Sequence, residues 1–110
     1  MSNLPRVSDE SFEKEVLQSD VPVLVDFFAE WCGPCRSLGP IVDALAKDYE
    51  GRMKFLQLDI DHSRQTPTKF GIMAVPTLLL FKGGEVVDRI TGFKPRQVLE
   101  KHVQEVVGAA

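Results

Sequence analysis

The chain has 110 residues, 44% of them apolar and 26% charged, and a formal net charge of −3. That length suits one domain, expected over 1–110, with a core of its own. The mild acidity leaves no basic stripe to neutralise phosphates, so nucleic acid is not an expected partner. No apolar run exceeds strand length and Met1–Arg6 carries no apolar leader, so no membrane is expected and the cytoplasm is the expected compartment.

Leu4–Val7 reads as a short strand that Pro5 confines to a sheet edge, because proline has no N–H for a ladder. Ser8 is placed to cap a first helix. Asp9 and Glu10 would sit in its first turn, where the helix dipole favours acids, and Phe12, Val16 and Leu17 would form its apolar face as far as Ser19–Asp20. Val23–Ala29 is apolar on both faces and therefore a central strand. Asp26 is its anomaly: a carboxylate among apolar neighbours is costly unless paired or protonated.

From Pro34 the spacing of Leu38, Ile41, Val42, Leu45, Ala46 and Tyr49 predicts a helix to about Tyr49, kinked at Pro40 and closed by Gly51. Met53–Ile60 is the next strand, and the polar stretch Asp59–Gln65 a loop. Thr66–Pro67 opens a short helical turn ending at Gly71. Leu78–Phe81 and Val86–Ile90 form an antiparallel hairpin around Lys82-Gly83-Gly84-Glu85. Pro95 opens the last helix, with Val98, Leu99, Val103, Val106 and Val107 on its apolar face and Gly108 as its stop. Met53 and Met73 read as packing residues. His62 and His102 read as structural or solvated. The order of elements gives an α/β domain with a mixed sheet covered on both faces.

Trp31-Cys32-Gly33-Pro34-Cys35 contains both cysteines and the one tryptophan. It lies between the central strand and the long helix. A disulfide across two intervening residues closes so small a loop that it stabilises a fold little, which suits a bond that opens and closes. A Cys-X-X-Cys at a strand-to-helix junction is a redox signature.

The chain resembles the thioredoxin family over essentially its whole length. The matching stretches are Val25-Asp26-Phe27, Ala29 to Cys35, Tyr49-Glu50-Gly51, Phe70-Gly71-Ile72, Val75-Pro76-Thr77-Leu78, Phe81 to Glu85, and Gly92. The resemblance implies a thioredoxin fold, with a central mixed five-stranded sheet flanked by four helices. It also implies a protein-disulfide reductase that needs no bound cofactor, because a reversible Cys32–Cys35 disulfide carries the electrons. A separate thioredoxin reductase would recharge it, its partners would be disulfide-containing proteins held in transient mixed disulfides, and it would act as a monomer.

Cys32 would lie at a helix N-terminus, where unpaired N–H groups and the dipole favour a thiolate, so it is the expected attacking sulfur; Cys35, one turn in and more buried, would resolve the mixed disulfide. The resemblance implies the same assignment. It places Asp26 beneath Cys35 as an aid to removing that thiol's proton, and burial should raise its pKa. Gly33 and Pro34 between the cysteines resemble those of the reducing members. Trp31, Gly33, Pro34, Val75, Pro76 and Gly92 form the expected docking surface, which Phe93 either widens or leaves by packing under the last helix. Pro76 looks like the family's cis-proline, although the sequence leaves the isomer open. Arg36 either favours the thiolate or is simply solvated.

Two positions depart from the common pattern. Phe28 stands where a second tryptophan is usual, and Gln57 where a lysine is frequent. Without that cation, Asp26 lacks a partner for its charged form. Three rival readings are a non-redox structural or processivity subunit, zinc binding by the cysteine pair, and an oxidant or isomerase. A single Cys-X-X-Cys is only half of a usual four-ligand zinc site.

Overall fold

A computed structural model describes residues 2–108, so Met1, Ala109 and Ala110 of the expected domain lie outside the described residues. Four strands, β1 (Val23–Phe28), β2 (Lys54–Asp59), β3 (Thr77–Lys82) and β4 (Glu85–Thr91), form one mixed sheet in the order β2-β1-β3-β4. β1 runs parallel to β2 and antiparallel to β3, and β3 pairs antiparallel with β4. Four helical segments complete the described residues: η1 (Glu13–Leu17), α1 (Gly33–Asp48), α2 (Gln65–Lys69) and α3 (Arg96–Val107).

The expected fifth strand is reduced to an isolated parallel bridge between Arg6 and Gln57. Two backbone bonds hold it, Gln57 N–H to the Pro5 carbonyl and Val7 N–H to the Gln57 carbonyl, each 2.9 Å. Pro5 offers no N–H, and after Val7 the chain turns away at Ser8, so the ladder cannot lengthen.

The first helix also departs from expectation. It is a single π-type turn, with the Gln18 N–H reaching the Glu13 carbonyl at 3.0 Å, and it has no side-chain cap. Ser8 is not its cap; the Ser11 hydroxyl instead accepts from the Ser8 N–H at 3.0 Å. Asp9 serves another element altogether. Its carboxylate accepts from the N–H groups of Gln65 and Thr66 and from the Thr66 hydroxyl, so it caps α2 from across the sequence.

Both faces of the sheet are dry. Leu24, Leu78 and Leu80 pack with Leu38, Val42 and Leu45 of α1 and with Leu99 and Val103 of α3. Val23, Val25, Phe27, Leu79 and Phe81 pack on the other face with Phe12 and Val16. There Phe12, Phe70 and Phe81 meet with ring centroids 5.4–5.6 Å apart, which ties η1 and α2 to the sheet. All six residues of β1 are buried, as expected of a central strand. α1 continues through Pro40. In α3, Val98 is exposed rather than part of the apolar face. The β3–β4 hairpin turns on Gly83 and Gly84, both at positive φ, with Lys82 and Glu85 in register.

Candidate redox site

β1 delivers the chain to the site and α1 leaves from it. Phe28 ends the strand, and Cys32 takes the N-cap position of α1 in an extended conformation, with Pro34 in the helix's first turn. Proline costs nothing there, because its missing N–H has no partner in a first turn. Cys32 Sγ itself caps the helix, accepting from the Cys35 N–H at 3.1 Å. A disulfide joins Cys32 and Cys35, with Cα atoms 5.3 Å apart. The two cysteines are equally buried, at 4% and 3% exposure, so depth does not distinguish them. Position does: Cys32 lies outside the helix between the exposed Trp31 and Gly33, and Cys35 lies inside its first turn.

Phe28 and Ala29 at the end of β1 and two distant residues, Ile60 and Val75, pack on this pair. The Val75–Pro76 peptide bond is cis. The Thr77 hydroxyl donates to the Ala74 carbonyl at 2.7 Å, and the Gly92 N–H donates to the Pro76 carbonyl at 2.8 Å. Gly92 has φ +87°, a conformation glycine adopts without strain. Trp31, 66% exposed, donates from its indole Nε1 to Asp61 Oδ2 at 2.9 Å. Phe93 is 44% exposed rather than packed away under the last helix.

Met73 is a correction. It is 94% exposed, not packed, two residues before Val75. Spacing alone cannot reveal this, because an apolar residue ahead of a buried strand looks like a core residue in a one-dimensional pattern. Asp61 is the other residue missed, since its partner Trp31 lies thirty positions away. Arg36 donates to the Glu30 carbonyl at 2.7 Å, and so braces the loop before the cysteines. Both histidines are partnered by acids: His62 Nδ1 lies 2.8 Å from Asp59, and His102 Nδ1 lies 2.6 Å from Asp88.

Asp26 is 2% exposed. It shares its face of β1 with Leu24 and Phe28, opposite Val25 and Phe27. Burial, and after it the negative charge of Asp43, pushes its carboxyl up to about 7. Its Oδ1 has no hydrogen-bond partner among the described residues. Asp59, in register with Phe28 at the end of β2, behaves in the opposite way. Burial pushes it up, but the Asp61 N–H, His62 and Arg6 outweigh that and hold it below the usual carboxylate range. Among the described residues no three His, Cys, Asp or Glu side chains gather as a metal site, and no helix is long and apolar enough to cross a membrane.

The thioredoxin family model, described as "Thioredoxin", matches residues 3–105. The chain is 49% identical over 107 residues to "Thioredoxin 1" of Nostoc sp., covering 94% of this chain and 100% of that one. It is 46% identical over 105 residues to a Synechocystis thioredoxin, covering 96% and 98%. It is also 52% identical over 101 residues to "Thioredoxin M4, chloroplastic" of Arabidopsis thaliana; there the match covers 92% of this chain and 52% of the plant protein, so the chain spans about half that relative's length.

Proposed function

Since the chain belongs to the thioredoxin family and is a thiol–disulfide oxidoreductase, we propose that it reduces disulfides in other proteins with Cys32 as the attacking sulfur. The observation that carries this reading is the position of Cys32 at the N-cap of α1, where its sulfur already accepts an N–H. The same N–H and the helix dipole stabilise a thiolate once the disulfide is reduced. That thiolate attacks one sulfur of a partner disulfide, the bond between the partner's sulfurs breaks, and one partner thiolate leaves. Cys35 then loses its proton and attacks the Cys32 sulfur. The Cys32–Cys35 disulfide reforms, the second partner thiol is released, and two electrons have passed to the partner.

Asp26 is the base for the second step, taking the Cys35 proton through an intervening water. Its location on the strand face that runs to Phe28 and the cysteines supports this, as does a carboxyl that titrates near neutrality. Trp31, Gly33, Pro34, Val75, Pro76 and Gly92 form the docking surface, joined by Met73 and Phe93. Gly33 and Pro34 also set the ease of reduction by fixing the first turn of α1. A flexible, polarizable methionine suits a surface that meets many partners. A thioredoxin reductase returns the electrons, and the protein acts as a monomer with no resident cofactor. The cytoplasm suits this cycle, because a dithiol persists in a reducing compartment.

The test is reduction of a reference protein disulfide with a small dithiol as electron source. Wild type should accelerate the reaction, and Cys32→Ser should lower the rate by about a thousandfold or more, as loss of a nucleophile does. A Cys32→Ser variant that keeps the wild-type rate would contradict the assignment.

A further inference from the structure

Two buried side-chain oxygens lack a hydrogen-bond partner among the described residues, Asp26 Oδ1 and Gln57 Oε1. They belong to the same place. Asp26 and Gln57 are register partners on the parallel strands β1 and β2, so their side chains leave the sheet on one face from backbones about 4.8 Å apart. Both residues are buried, at 2% and 4% exposure.

The amide orientation of Gln57 is fixed from outside. Its Nε2 donates to the Leu4 carbonyl at 2.7 Å and to the Ser2 carbonyl at 3.3 Å. Those carbonyls belong to the N-terminal segment, which pairs with the outer edge of β2 through the Arg6–Gln57 bridge. With nitrogen turned to that edge, the amide oxygen is turned toward the other neighbour of β2, which is β1. Two buried acceptors side by side are unfavourable, and a buried acceptor without a partner costs about 1–3 kcal/mol. One proton placed between them satisfies both, and a neutral carboxylic acid supplies it.

We propose that Gln57 is the positioning residue for the Asp26 proton: the neutral Asp26 carboxyl donates its O–H to Gln57 Oε1. The surroundings agree. Leu78 faces Asp26 from β3 and offers no polar atom. From α1 comes Asp43, whose charge opposes ionisation of Asp26; Cys35 of the same helix is held in the disulfide and carries no proton in the oxidised chain. From β2, Asp59 is held by Arg6 and His62. Lys54, at the start of β2, is engaged by Glu15 at 2.9 Å. No cation is therefore free to hold Asp26 in its charged form from these positions. Gln57 in this way sets the pH at which Asp26 becomes the base assigned to it above, and the inference rests on that reading only for its consequence in the resolving step.

The test is a carbon-13 NMR titration of the oxidised full chain, in wild type and Gln57→Met. Methionine keeps the length of glutamine and removes the acceptor. In wild type the Gln57 side-chain carbonyl signal should move with the same midpoint as the Asp26 carboxyl, at or above the value of about 7 that burial and the Asp43 charge produce. In Gln57→Met the Asp26 midpoint should fall by about one pH unit, a tenfold loss of proton affinity, the size of one hydrogen bond to the neutral form. A Gln57 carbonyl signal that stays flat through the Asp26 transition overturns the proposal, and so does a midpoint in Gln57→Met that is unchanged or raised. If Gln57→Met does not fold, the wild-type signal alone decides. Neither readout involves turnover, so the role of Asp26 in reduction stands or falls separately, on the rate of the resolving step in Asp26→Asn.

Discussion

On one face of β1, Val23, Val25 and Phe27 meet aromatic and aliphatic side chains from η1 and β3; on the other, Leu24, Asp26 and Phe28 run from the α1–α3 core to the cysteine pair. Burial is alike on the two faces, since every residue of the strand is buried. Chemistry differs. The first face contains only groups that gain by leaving water. The second contains a carboxylate that loses by it, placed in the run that ends at the redox pair. A central strand thus carries stability on one side and a reactive group on the other, and the strand's pleat keeps the two apart.

That contrast can be broken from the stable side first. Phe81→Ala removes a ring from the Phe12–Phe70–Phe81 cluster and should cost about 3–5 kcal/mol in denaturant unfolding. The cost should be the same at pH 5 and pH 8, and the folded fraction should keep its specific reductase activity. A pH-dependent loss would mean that the two faces are not independent.

The reactive side should answer to pH. The Asp26 carboxyl is raised from 3.8 to about 7 in the folded chain, so the folded state binds more protons than the unfolded state between those values. Stability therefore falls as pH rises from about 4 to 7 and is level above, a loss of roughly 4 kcal/mol. Asp26→Asn, which mimics the neutral acid, should remove this slope. It should match wild type at pH 4, exceed it by nearly that amount at pH 8, and slow the resolving step. Parallel stability curves for the two proteins would show that the buried carboxylate carries no such penalty.

A smaller effect sharpens the account of the scaffold. Gly84 has φ +81°, and a Cβ there would lie 2.8 Å from the Leu17 carbonyl oxygen. Gly84→Ala should therefore cost about 1–3 kcal/mol by calorimetry, through backbone strain and loss of the seat of η1 against the hairpin. Gly33 has open space at the corresponding point, and alanine there should leave stability within about 0.5 kcal/mol.

Residues whose role is local were legible in the sequence. The apolar run of β1, the spacing of α1, the Gly83–Gly84 turn and the Cys-X-X-Cys at the junction each express their role within one element. Residues whose role depends on a distant partner were not. Asp9 looks like a helix starter beside Ser8, yet it caps α2, more than fifty positions on. Met73 looks like core because hydrophobicity does not record which side of a loop faces solvent. Asp61 has no local signal for the indole it holds. Leu4–Val7 has a strand's composition, but proline and the turn at Ser8 limit it to one bridge. Asp26 is an intermediate case: its misfit with its neighbours was visible at once, whereas the glutamine opposite it acquires meaning only from the strand register.

The central claim is that the two cysteines, equally buried, are unequal in chemistry because one caps the helix and the other lies within it. Trapping tests it most directly. The reduced Cys35→Ser variant is mixed with a protein disulfide, and the products are mapped by mass spectrometry. A mixed disulfide on Cys32 should accumulate, because nothing resolves it, whereas reduced Cys32→Ser should trap little. Ready trapping through Cys35 in Cys32→Ser, with none through Cys32 in Cys35→Ser, would reverse the assignment and contradict the account.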